Sequence, residues 1–207
     1  VIRPAGARIA AVVLAAGSGS RMGTPKAALT VNGTRLVDRA VKVAHEARCQ
    51  RIIAVVRAGT RVPGAELVVN TAPEQGLRSS LTLALNHLAS PGDIPVDAVA
   101  VLLVDTPGIG SEAVRAVLDA WRPGRVALAR YGQRRGHPIV MSPDRWRAAI
   151  ALARPDEGAR RFLAAHPDLI DEVAAPGDPT DLDTPADLRR WTSSTGERAA
   201  ARTEQPE

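Results

Sequence analysis

The stretch Val12-Val-Leu-Ala-Ala-Gly-Ser-Gly-Ser-Arg-Met-Gly-Thr-Pro-Lys-Ala-Ala-Leu29 decides how this chain is read. An apolar run from Ile9 to Leu14 feeds a segment of small residues with Gly17, Gly19 and Gly23, which ends in Thr24-Pro25-Lys26. The run has strand length and β-branched content, and the abrupt switch to small residues marks its end. Small side chains let backbone N–H groups approach an anion, and Arg21 and Lys26 lie in the same loop. The loop is a cradle for a polyphosphate. Two familiar phosphate loops do not fit. A dinucleotide fingerprint needs a third glycine where Met22 stands, and a Walker A loop needs Gly-Lys-Ser/Thr where Pro25-Lys26-Ala27 stands.

Lys26 carries extra weight because of composition. Of 27 basic residues only Lys26 and Lys42 are lysines. A chain that otherwise uses arginine has kept a compact ammonium in the loop, which suits a point contact to phosphate. The 207 residues suffice for one domain with a sizeable core, which must be aliphatic because aromatic residues are 2% of the chain. One cysteine, Cys49, excludes an internal disulfide and a multi-cysteine metal site. The opening Val-Ile-Arg-Pro-Ala-Gly does not read as a signal peptide, and no apolar run approaches the roughly 20 residues of a membrane span. The expectation is a cytoplasmic protein that touches no membrane. The formal charge is +5, but the arginines are scattered and five aromatic residues give no stacking platform. A small anionic substrate explains the mild positive charge better than nucleic acid does.

The rest of the chain alternates strand and helix. Strands are expected over 8–14, 51–56, 66–70, 98–104, 125–130 and 169–173, with a hairpin-like excursion at 131–140 returning into another strand. Helices are expected over 34–49, 77–89, from Ser111, over 144–153 and over 155–165. This alternation predicts an α/β sheet with parallel strands. Residues 1–7 read as a loose lead and 192–207 as a disordered tail, leaving one domain over 8–191.

Candidate site residues follow from position. Ser79 and Ser80 open a helix, where they either cap it or meet a ligand. Asp105 directly follows the most apolar strand, and doubly wound sheets bind ligands at strand carboxyl ends. Ser111 can cap the next helix, which leaves Asp105 for a divalent metal on a polyphosphate. Thr184-Pro185 reads as a helix start, so Asp183 just before it either faces the Asp105 cleft or is a solvated turn residue. His137 is the one histidine of four outside an amphipathic helix, and ligand contact and structural hydrogen bonding stand open for it.

Six segments in order, LAAGSGSRMGTPK at 14–26, EQGLRSSL at 74–81, LLVDTPGI at 102–109, GQRRGHPIV at 132–140, DEGARRFL at 156–163 and DLDTPADL at 181–188, together resemble the MobA-like NTP transferase family. The likeness is greatest to its molybdenum cofactor cytidylyltransferase branch. It implies a Rossmann-like three-layer α/β/α nucleotidyltransferase fold of the nucleotide-diphospho-sugar transferase type, with a mostly parallel sheet. It implies Mg2+-dependent transfer of CMP from CTP to the phosphate of molybdopterin or molybdenum cofactor. By the same resemblance Leu14, Ala15, Ala16 and Gly17 would contact base and ribose, and Gly19, Arg21 and Lys26 the phosphates. Asn70, Ser79 and Ser80 would lie near the nucleoside, Asp105 and Asp183 would hold the metal, and His137 would face the acceptor. A molybdenum hydroxylase would be the client. Ala15-Ala16 resembles the cytidylyl type, whereas the guanylyl type usually has Ala-Gly-Gly. Thr106 departs from the Gln usual in the cytidylyl branch. The alternatives are guanylyl transfer to the same cofactor, transfer to another phosphorylated small molecule, or a non-catalytic maturation partner that only holds the cofactor.

Overall fold

A computed structural model describes residue 4 and residues 6–193. The strands are β1 (Ile9–Leu14), β2 (Thr30–Val31), β3 (Thr34–Arg35), β4 (Arg51–Val56), β5 (Glu66–Val69), β6 (Ala98–Leu103), β7 (Val126–Tyr131), β8 (Arg134–Met141) and β9 (Ile170–Ala174). The helices are α1 (Leu36–Glu46), α2 (Leu77–Leu88), α3 (Ser111–Ala120), α4 (Pro143–Leu152), α5 (Arg160–Ala165) and α6 (residues 185–193). Seven strands form one sheet in the order β5-β4-β1-β6-β8-β7-β9. Only β8 runs against its neighbours, so the expected mostly parallel α/β sheet is present.

Strand alternation divides the core in two. Ile9, Ala11 and Val13 of β1 pack with α1 and α3, whereas Ala10, Val12 and Leu14 pack with α2, α4 and α5. A strand buried on both faces must be apolar throughout, which is why β1 and β6 read as continuous runs and not as alternating ones. The result is three layers, helices on either side of the sheet. From β1 the chain builds outward through β4 to β5, then returns to place β6 on the other side of β1. Leu14 and Leu103 are register partners at the carboxyl ends of these two central strands. The connections leaving them diverge there, and that divergence opens a crevice.

Four local expectations differ from the structure. The helix expected from Thr34 starts at Leu36, because Thr34–Arg35 pairs with Thr30–Val31 across Asn32-Gly33, both at positive φ. Asn-Gly is the turn that favours such hairpins, and it was the signal to find this one. The helix expected from Pro155 is helical only from Arg160, since Gly158 at φ +52° interrupts it. Ser111 does not cap α3; the N-cap is Gly110, with no side-chain hydrogen bond. The last helix runs through residue 193, two residues into the expected tail; 194–207 lie outside the described residues.

Candidate active site

The loop after β1 turns back on itself before reaching Lys26. Gly19 sits at φ +61°, where a Cβ would lie 2.0 Å from the Thr24 carbonyl oxygen, so only glycine closes this loop. The Gly19 carbonyl accepts from the Met22 N–H at 2.8 Å. A short 3-10 turn, Lys26–Ala28, follows, anchored by the buried Ala27. Its ammonium donates to Asp105 Oδ2 at 2.8 Å and also to Asp183 Oδ1. Arg21 lies 3.7 Å from the other oxygen of Asp183 and is largely exposed.

Asp183 reaches the crevice because the segment before α6 is laid across the end of β6. Asp178 bridges to Gly108, and the Leu182 N–H donates to the Asp105 carbonyl at 2.8 Å. Leu182 is fully buried and fixes the segment. Thr184 and Asp187 then form a reciprocal cap: the Thr184 N–H donates to the Asp187 carboxylate at 2.8 Å, and the Asp187 N–H to Thr184 Oγ1 at 3.3 Å. The cap fixes where α6 starts and therefore where Asp183 stands.

Burial by itself would lower the Lys26 pKa, but Asp105 and Asp183 outweigh it and hold the ammonium above its ordinary value. Asp181 goes the other way: burial first, then the charges of Asp105 and Asp183, push its carboxyl up. Asp181 was not among the expected site residues, although it stands two positions before Asp183. Three carboxylates, Asp105, Asp181 and Asp183, thus share one neighbourhood with the Lys26 ammonium. Asp105 Oδ1 is buried and has no hydrogen-bond partner among the described residues. Nor is any group of three or more His, Cys, Asp or Glu placed there to hold a metal. Two carboxylates with one unengaged oxygen fit Mg2+, which binds one or two carboxylates and completes its shell with phosphate oxygens and water.

The crevice encloses about 610 Å3 and is lined by Leu14, Ala16, Gly17, Gly19, Arg21, Lys26, Ser80, Asp105 and Asp183 among others. Asn70 and Ser79 stand behind this wall. Asn70 is buried; its side-chain amide donates to Ser79 Oγ and Ser80 Oγ, each at 2.9 Å, and its oxygen accepts from the Ala72 N–H. Neither serine caps α2. Ser79 donates to the Gly76 carbonyl, and the Arg78 N–H is met by the Pro155 carbonyl at 2.9 Å. Glu74 and Asp156 add two carboxylates to the lining, which the sequence reading did not single out. Ala15 is buried, and neither alanine of the pair carries a polar side-chain atom. Thr106 is also buried, its hydroxyl turned back to the Leu103 carbonyl at 3.3 Å. His137 places Nδ1 3.0 Å from the Val101 carbonyl, and it lines cavities beside the crevice.

A family model, the MobA-like NTP transferase domain, matches residues 11–170. The chain belongs to the MobA-like NTP transferase family. The match takes in β1 from residue 11, every strand through β8 and the first residue of β9, whereas Asp183 lies beyond it; the sheet described above is of the Rossmann-like nucleotidyltransferase type. The chain is 32% identical to nicotine blue oxidoreductase of Paenarthrobacter nicotinovorans, over 88% of this chain and 95% of that one. It is 31% identical to a probable molybdenum cofactor guanylyltransferase of Opitutus terrae, over 76% of this chain and 78% of that one. Among solved structures it resembles Rv0371c of Mycobacterium tuberculosis in complex with manganese, with TM-score 0.74 and 26% identity over 90% of this chain and 99% of that one. Among the described residues no helix is long and apolar enough to cross a membrane.

Proposed function

We propose that this MobA-like chain transfers a nucleotidyl group, GMP from GTP before CMP from CTP, to the phosphate of molybdopterin or molybdenum cofactor. The observation that carries this reading is the Lys26 ammonium lodged between Asp105 and Asp183 at the mouth of the glycine loop. The relative named a guanylyltransferase supports GTP over the CTP that Ala15-Ala16 suggested. Two alanine side chains offer a base no hydrogen bond, whereas the carboxylates of Glu74 and Asp156 suit N–H donors on the edge of guanine or cytosine alike.

The reaction joins two anions, and the acceptor phosphate oxygen attacks the α-phosphorus as pyrophosphate leaves. The chain's task is to align both reactants and to place positive charge where negative charge develops. Lys26 supplies a fixed ammonium, Arg21 an exposed guanidinium, and the loop around Gly17 and Gly19 a close backbone approach. Asp105 and Asp183 would hold Mg2+, which supplies charge neutralisation on the polyphosphate and on the departing oxygen. Ser80 and the residues from Leu14 to Gly17 would meet the nucleoside, with Asn70 and Ser79 fixing the wall behind. A molybdenum hydroxylase is the client this reading implies.

Pyrophosphate release with Mg2+ tests the proposal, comparing GTP, CTP and ATP with and without molybdenum cofactor. Release only with GTP and cofactor supports it; release only with CTP and cofactor restores the cytidylyl reading. A second reading comes from the relative named nicotine blue oxidoreductase, which spans more of this chain. Redox turnover of nicotine blue with an added electron donor or acceptor, without pyrophosphate release from any nucleotide, would favour it.

A further inference from the structure

After Ala175, whose N–H donates to the Arg130 carbonyl at 3.0 Å, the chain leaves the sheet and crosses the end of β6 before α6 begins. Asp183 stands on this crossing. Its side chain is 45% exposed, against 22% for Asp105, so its own surroundings hold it less firmly. Asp105 is placed by β6, which ends two residues before it; Asp183 is placed by whatever anchors the crossing.

Three contacts join the crossing and α6 to the residues from Asp105 to Gly108. The Leu182 N–H meets the Asp105 carbonyl at 2.8 Å, and the Asp178 N–H meets the Gly108 carbonyl at 3.2 Å. The third comes from the far end of α6. Trp191 lies so close to Gly108 that a Cβ there would come 2.5 Å from Trp191 Cη2 and 2.4 Å from the Asp178 carbonyl oxygen. The φ of Gly108 is outside the left-handed region, so close approach and not backbone angle excludes a side chain. Leu188 and Trp191, three positions apart, share one face of α6, and both pack against the core cluster that contains Leu182. Arg189, Arg190, Thr192 and Ser193 are exposed. At the near end, the Asp183 N–H donates to the Asp187 carboxylate at 3.2 Å, so Asp183 and the first turn of α6 move together.

Something has to oppose the charge. Asp181 and Asp183 face Asp105 with like sign, which pushes the crossing outward. The Lys26 ammonium pulls Asp183 inward, but a phosphate in the crevice would compete for that ammonium. We propose that Trp191 and Gly108 are positioning residues. The ring of one, seated on the bare Cα of the other, holds α6, and through its capped first turn holds Asp183 opposite Asp105. Neither residue lines the crevice. The contact pre-organises the second carboxylate, which otherwise has to be ordered each time a cation binds. That Asp183 meets a metal rests on the nucleotidyl-transfer reading; that this contact fixes its place does not.

The test uses the full chain and three measurements: hydrogen exchange, Mn2+ binding read by electron paramagnetic resonance, and N-methylanthraniloyl-GTP binding in EDTA. In Trp191→Ala, exchange over residues 181–187 is expected to quicken at least tenfold while β1 and β6 are unchanged. Mn2+ binding weakens about tenfold, and nucleotide binding stays within twofold. Trp191→Phe keeps a ring on Gly108 and loses less than threefold in Mn2+ affinity. Gly108→Ala, which displaces the ring from the other side, matches Trp191→Ala. The loss passes through Asp183, so in an Asp183→Asn background Trp191→Ala changes Mn2+ affinity less than twofold. Unchanged exchange over 181–187, or a Mn2+ affinity equal to the parent's, or the same tenfold loss in the Asp183→Asn background, overturns the proposal. Should Trp191→Ala lose its native circular dichroism, Trp191→Leu decides by the same criteria. A parent chain that binds no Mn2+ or releases no pyrophosphate, while exchange over 181–187 still depends on Trp191, overturns the transferase reading and leaves the anchor standing.

Discussion

Lys26 Nζ and Asp105 Oδ2 lie 2.8 Å apart, 79 residues apart in sequence, and the same ammonium contacts Asp183. One cation thus stands between the two carboxylates that would hold a metal. If Lys26 stabilises charge in transfer, Lys26→Ala and Asp105→Asn each lower the rate of pyrophosphate release by about 100- to 1,000-fold, or roughly 2.7–4 kcal/mol of barrier. Circular dichroism of both variants should match the parent. Unchanged turnover in either would remove the mechanism.

The same relationship predicts metal binding without nucleotide. A unit charge at about 4 Å is worth about 1 kcal/mol in water and about 4 kcal/mol at an effective dielectric of 20. Lys26→Met should therefore raise Mn2+ affinity about tenfold or more, read by electron paramagnetic resonance of free Mn2+. Arg21→Gln removes an exposed charge at 3.7 Å from Asp183 without vacating the position between the carboxylates, so its effect should be well below tenfold. Equal gains in the two variants would mean that net charge alone, not the position of Lys26, sets metal affinity.

Gly19 and Gly17 should behave differently although both belong to the glycine loop. A side chain at Gly19 collides with the Thr24 backbone at positive φ, whereas nothing lies within 4 Å of a Cβ at Gly17. Gly19→Ala should weaken N-methylanthraniloyl-GTP binding at least tenfold by opening the loop. Gly17→Ala should leave the melting temperature unchanged, and any loss of nucleotide affinity then measures how closely the ligand approaches that backbone.

Stability against pH has a definite sign at the sheet edge. Arg51 of β4 donates to both carboxylate oxygens of Glu66 on β5, at 2.9 and 2.7 Å, and His87 meets the same carboxylate. The Arg51 guanidinium, opposed by burial and aided by His87, holds the Glu66 carboxyl at about 2, below its ordinary 4.5. A depressed carboxyl stabilises the fold above its unfolded value, and that contribution fades as pH falls from 4.5 through about 2. Because Glu66 is partly exposed, the contribution is about 1 kcal/mol and not the full value of the shift. Glu66→Gln should melt lower than the parent at pH 7, and the two melting temperatures should converge at pH 2. A gap that persists at pH 2 would assign the effect to packing.

The order of elements was legible because burial on both faces forces continuous apolar runs: 51–56 matches β4 residue for residue. Asp105 was legible for the same reason, as the first charge after the run that became β6. Ser111 misled, and of the two readings left open for Ser79 and Ser80 the structure removes the cap. A serine at a helix start is a cap only if no other group reaches the N–H donors first. At α2 the Pro155 carbonyl, from a distant loop, reaches one. The cavity on the α2, α4 and α5 side of the sheet was not legible, since Leu77, Trp146 and Arg160 belong to three helices whose packing has no local signature.

By itself the sequence determined an aliphatic, mostly parallel α/β sheet, a glycine loop after its first strand and a set of motifs that named the family. Those properties depend on neighbours along the chain: periodicity, turn chemistry and residue type. Only the tertiary structure decided that Lys26, Asp105 and Asp183 form one charged cluster, since strand order sets β1 beside β6 and a capped helix brings position 183 back over both. It also decided that Asn70 and Ser79 hold the wall while Ser80 lines the crevice. Contacts between residues 79 and 157 positions apart follow from the path of the chain, and no local rule encodes that path.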